Sequence, residues 1–121
     1  MSENILDLLV EEAVQFKKAI DGIAVLVDEA EFIVDSNGLS LKATDPSQIS
    51  MVDFTMQKSA FKNFSVAQPT KLGLDMAYFS SILGRAKSSD SLQLSMADSS
   101  RLNLVFKNSS TRKFSIPLIG I

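Results

Sequence analysis

Val14-Gln15-Phe16-Lys17-Lys18-Ala19-Ile20-Asp21-Gly22-Ile23-Ala24-Val25-Leu26-Val27-Asp28 sets Phe16, Ile20, Ile23 and Val27 at steps of four, three and four, which puts them on one helical face. The spacing predicts a helix over residues 14–28 whose other side carries Lys17, Lys18 and Asp21. Gly22 in its middle costs about 1 kcal/mol relative to Ala, so a packing reason is the expectation there. Ahead of the helix, residues 5–10 are mostly apolar. A run that short fits an extra helical turn as well as a buried strand, and it is read here as a strand.

Beyond residue 28 the period changes from helical to alternating. Residues 31–34 read as a strand, Asp35-Ser36-Asn37-Gly38 supplies turn chemistry, and residues 39–44 alternate Leu39, Leu41 and Ala43 with polar neighbours, which predicts a hairpin. Asp45-Pro46-Ser47 breaks it. Alternation resumes over residues 49–56, with a slip near Met51 and Val52 of the kind a bulge makes. A loop with Lys58 and Lys62 leads to a short apolar stretch around Phe64 and Val66, then a break at Gln68-Pro69-Thr70. Residues 71–74 read as a strand, and Asp75 is a good N-cap for a second helix through Met76, Phe79, Ile82 and Leu83, ending at Gly84 or at Ser88-Ser89. Strands over residues 92–96, 102–107 and 112–118 complete the chain, with Pro117 assigning the last to an edge or to its own end.

In symbols each half is strand, helix, three strands. The architecture repeats without evident sequence identity between the halves, and two helices on one face of antiparallel sheet is its natural packing, an α+β fold.

A length of 121 residues with 45% hydrophobic and 21% charged residues suits one folded domain. Cysteine and histidine are both absent, which excludes disulfides, thiolate nucleophiles and Cys- or His-based metal sites and fits a reducing compartment. No cofactor is implied. No apolar run reaches bilayer length and the first residues lack a signal-peptide pattern, so a cytosolic protein with no membrane partner is the expectation. A net charge of −2 argues against a nucleic-acid binder that works by bulk positive charge, and leaves only a local patch for DNA.

Catalysis would need carboxylates, Lys, or Ser with Lys as its base. Asp45 beside Pro46 and Asp98 beside Ser99 are more simply turn formers, and Glu29 and Glu31 suit a solvated connection. There is no Walker loop, glycine triplet or EF-hand spacing, so no enzymatic activity is expected. Lys17-Lys18 fits either a solvated helix face or phosphate contacts, and Arg85, Lys87, Arg112 and Lys113 fit either surface or interface.

Three further stretches point to a family: residues 16–21 (Phe-Lys-Lys-Ala-Ile-Asp), residues 37–47 (Asn-Gly-Leu-Ser-Leu-Lys-Ala-Thr-Asp-Pro-Ser), and residues 111–119 (Thr-Arg-Lys-Phe-Ser-Ile-Pro-Leu-Ile). With Leu74-Asp75-Met76 and the run from Ile82 to Lys87, they resemble archaeal-type PCNA (proliferating cell nuclear antigen) sliding clamps over nearly the whole chain. The resemblance implies the DNA-clamp fold and residues 1–121 as a single amino-terminal clamp domain, the connector and second domain having no counterpart here. It also implies a processivity factor that encircles duplex DNA without sequence preference, and partners among other clamp subunits or domains and replication and repair proteins carrying clamp-binding peptides. On that basis Lys17 and Lys18 match DNA-facing positions; Thr44, Gln48 and Met51 match the partner-peptide groove; and Arg85, Lys87, Arg112 and Phe114 match a subunit contact. Ser80, Ser81 and Gly84 stand where related clamps often place lysines, which implies a less basic DNA-facing surface. Its location would be the nucleoid in an archaeon or the nucleus in a eukaryote. A protein-interaction adaptor that reuses the fold without encircling DNA is the alternative, and would bind peptides independently of DNA.

Overall fold

Leu6, Leu8 and Val10 are buried while Asp7 and Leu9 between them are only partly so, and that period of two makes the ambiguous first segment a strand, β1 (Leu6–Val10). These residues belong to a computed structural model that describes residues 5–44 and 51–119. The helix that follows, α1 (Ala13–Ala24), buries Ala13, Phe16, Ile20 and Ile23. It ends four residues earlier than its periodicity predicts. Val27 stays in the core because the chain leaves α1 through one more turn, with the Leu26 and Val27 amides donating to the Ile23 carbonyl. The glycine expectation is not met: a Cβ at Gly22 would meet nothing within 4 Å.

Three strands follow: β2 (Glu29–Asp35), β3 (Gly38–Thr44) and β4 (Met51–Gln57). The Asp35 carboxylate accepts the Asn37 amide at 2.9 Å in the β2–β3 turn, and Gly38, at φ 145°, lies so close to the Met56 carbonyl that no Cβ fits. The register from Gly38↔Gln57 to Thr44↔Met51 is unbroken, so the slip expected near Met51 and Val52 does not occur in these strands. The breaker Asp45-Pro46-Ser47, the first residues of the expected strand from 49, and Gln48 lie outside the described residues.

A 3-10 turn (Lys58–Ala60) leads into β5 (Asn63–Val66), expected only as an apolar stretch. The second unit is β6 (Thr70–Asp75), α2 (Met76–Leu83), β7 (Ser91–Met96), β8 (Arg101–Lys107) and β9 (Thr111–Pro117). Asp75 caps α2 as expected, its carboxylate accepting the Tyr78 amide at 3.1 Å, and the helix stops at Gly84.

All pairings are antiparallel, in sheets ordered β5-β1-β7-β8-β9 and β4-β3-β2-β6. Each unit therefore lends its first strand to the other: β1 pairs with β7, and β6 pairs with β2. Neither unit can complete its sheet alone. The inner faces of both sheets and both helices share one core, in which Phe79 stands edge-on to Phe16 and Phe32, each at a centroid distance of 6.3 Å. The segment after β9 lies along the β6 edge, the Ile119 amide donating to the Gly73 carbonyl at 2.9 Å, whereas β4, β5 and β9 end their sheets with no further strand among the described residues.

Candidate nucleic-acid and partner interfaces

Helices α1 and α2 run antiparallel, with Asp21 opposite Ser80 and the Lys17 stem over Gly84, where a Cβ would lie 3.9 Å from Lys17 Cε. Lys17 Nζ pairs with Asp21 Oδ2 at 2.5 Å, one helical turn along α1, and the Ser80 hydroxyl donates to the other carboxylate oxygen, Oδ1. The Lys17 ammonium and then the Ser80 hydroxyl hold the Asp21 carboxyl below the usual aspartate range. Lys18, by contrast, is exposed, and no ion pair among the described residues holds it. Both lysines expected to face DNA thus lie on the helix layer, in different electrostatic states. Spacing could have shown this, since residues 17 and 21 are an i, i+4 pair.

The basic residues expected at a subunit contact also divide. Arg85 and Lys87 are exposed. Arg112 is partly buried: its guanidinium pairs with Asp90, donates to the Arg85 carbonyl at 2.8 Å, and lies 5.5 Å from the Phe106 ring centroid. Phe114 is half-buried against Phe106 at 5.8 Å. Asp90, fully buried, was not singled out from the sequence because the serines before it read as a plain helix stop. It also accepts the Lys87 amide at 2.7 Å, and its carbonyl accepts the Ala13 amide at 3.1 Å. Burial alone would raise its carboxyl, but the Arg112 guanidinium and the Lys87 amide outweigh that and hold it low. Asp90 Oδ1 and Arg112 Nε are left buried without a hydrogen bond.

Of the expected peptide-groove residues, Thr44 and Met51 pair at the end of β3 and β4, and Gln48 lies outside the described residues. An open groove of about 440 Å³, missed in the sequence, lies elsewhere, between α1 and β4, with Glu12, Phe16, Phe54, Met56, Phe61 and Lys62 along it. Asp98 is the turn former expected, accepting from the Ser100 amide at 2.8 Å. Among the described residues no helix is long and apolar enough to cross a membrane.

Two exchanged β-α-β-β-β units, a paired helix layer and two antiparallel sheets define a clamp-type α+β domain. The family model for the proliferating cell nuclear antigen N-terminal domain matches residues 5–119, and the chain belongs to that family. It is 33% identical over 115 residues to the DNA polymerase sliding clamp of Pyrococcus furiosus, a match covering 95% of this chain and 46% of that protein. The clamp of Methanococcus maripaludis is 37% identical over 107 residues, covering 88% and 42%. The crystal structure of PCNA from Thermococcus kodakaraensis superposes with a TM-score of 0.92 at 27% identity, over 95% of this chain and 47% of that one. The chain therefore spans about half the length of the relatives it matches.

Proposed function

We propose that this chain is a sliding-clamp domain that forms one arc of a ring around duplex DNA, meets the phosphate backbone through the α1–α2 layer, and helps tether replication and repair enzymes without turnover of its own. The observation that carries this reading is charge segregation. Helices α1 and α2 hold two cations (Lys17 and Lys18) against one anion (Asp21), a net of +1, so the rest of a chain of net charge −2 carries −3. An acidic protein with its helix layer biased toward cations suits a phosphate backbone on that layer and repulsion elsewhere. Family membership and the clamp names of the relatives support the same reading.

In this reading the edges β4 and β9 join neighbouring clamp domains, with Arg85, Lys87, Arg112 and Phe114 at the β9 side, and the surface around Thr44, Gln48 and Met51 takes partner peptides. The test is equilibrium binding of the 121-residue chain to two duplexes of unrelated sequence over a salt series. Equal affinities are expected, falling with a log–log salt slope between about 1 and 2, as one or two phosphate contacts require. Strong preference for one sequence, or affinity indifferent to salt, would contradict the proposal.

A further inference from the structure

We infer that Asp21 is a positioning residue that withholds Lys17 from DNA, leaving Lys18 as the lysine of the adjacent pair that contacts phosphate. The inference rests on the DNA-facing reading of the helix layer and names which of its cations acts.

An exposed i, i+4 pair on one helix is ordinarily weak, because two flexible side chains must be ordered to make it. Here the acid is fixed from the other helix. Ser80 on α2 donates to Asp21 Oδ1, so Oδ2 is presented to Lys17 without a separate ordering cost. The Lys17 stem lies across the end of α2, its Cε 3.9 Å from where a Cβ at Gly84 would stand, and its ammonium arrives 2.5 Å from that oxygen. Both side chains are about one-third exposed, at 32% and 35%, so the pair sits at the surface where a phosphate would approach and presents nearly zero net charge there. Lys18, one residue on, is exposed with no such acid among the described residues. For Lys17 to reach a phosphate it would have to leave Asp21 and strand a carboxylate facing the DNA.

A mutant cycle on the 121-residue chain tests this, read as affinity for one duplex at low salt and as salt slope. Asp21→Asn removes the charge but keeps an oxygen for the Ser80 hydroxyl, so the α1–α2 bridge survives; a thermal melt verifies folding. Lys17→Ala combined with Asp21→Asn, which removes the neutral pair whole, should change affinity by no more than about twofold, as loss of an already paired surface charge does. Lys18→Ala should lower affinity several-fold. Asp21→Asn should raise it several-fold and steepen the salt slope by about one, because a second lysine becomes available. Asp21→Glu should restore native behaviour, and the Asp21→Asn gain should vanish when Lys17→Ala is added. The inference is overturned if removing the pair by Lys17→Ala with Asp21→Asn costs as much as Lys18→Ala, or if that double variant keeps the full Asp21→Asn gain over the native chain, which would make the gain a general effect of removing negative charge. Undiminished binding by the Lys17→Ala, Lys18→Ala double variant, or no binding by any variant, would instead overturn the DNA-facing reading and the inference with it.

Discussion

Gly22 lies exposed on α1 with open space around it and no left-handed backbone to require glycine. The helix bears the conformational cost of that residue without a packing return. Gly22→Ala should therefore stabilise the domain by about 0.5–1 kcal/mol in urea unfolding, and a loss of stability would mean that the site is tighter than the open space implies. Asp90 is the opposite case, since one buried carboxylate joins β9 through Arg112 and the connection after α2 through the Lys87 amide. Asp90→Asn should cost about 2–3 kcal/mol at neutral pH by leaving Arg112 without its counter-charge. The pH dependence follows from the lowered carboxyl: the unfolded chain, near the ordinary value of 3.8, takes up the proton first as pH falls. Native stability should hold above that value and fall through the folded pKa below it, more steeply than in Asp90→Asn. An Asp90→Asn variant as stable as the native chain, with the same acid limb, would contradict this role. The ion pair also makes Arg112→Glu a poor probe of the proposed subunit contact. That substitution places a second carboxylate against a buried Asp90, so a loss of association would mix folding with interface.

Most elements were legible because their signals are local. Asp75 predicts its cap and Gly84 its stop, and the Asp35-to-Gly38 turn predicts the first hairpin. What escaped depends on distant partners. The four residues of β5 are a strand because β1 lies beside them, pairing Leu6 with Val66 and Leu8 with Phe64. Beyond the end of α1 the Asp28 carbonyl accepts the Met76 amide at the start of α2, a contact between the two units that no local signal shows. Strand order is likewise invisible locally: a linear repeat suggests two separate sheets, while the folded chain exchanges β1 and β6. The terminal strands β4 and β9 carry the expectation for assembly, because uncovered edges template further pairing. Arg85→Glu with Lys87→Glu alters exposed side chains beside β9 and leaves the Asp90–Arg112 pair intact. Light scattering over a concentration series should show the native chain growing beyond one 13.2 kDa unit and the double variant growing less. Identical monomeric masses for both would remove the edge-to-edge contact.

At the scale of the whole molecule, an overall charge of −2 conceals a helix layer of the opposite sign. Composition alone argued against DNA by bulk charge, and only the folded arrangement places Lys17 and Lys18 on a helix layer whose net charge is positive. The candidate lysines were legible as residues and their states were not, because the Ser80–Asp21 bridge joins positions 59 residues apart. Sequence-independent contact with duplex DNA through α1 and α2 is the central claim. Its most direct test is an amide NMR titration of the 121-residue chain with a short duplex, repeated with a duplex of unrelated sequence. Shifts should cluster at Lys18, Gly22, Ser81 and Gly84, coincide for the two duplexes, and fade as salt is raised. Shifts confined to β4, β9 or the groove beside Phe54, or none at low salt, would contradict the claim.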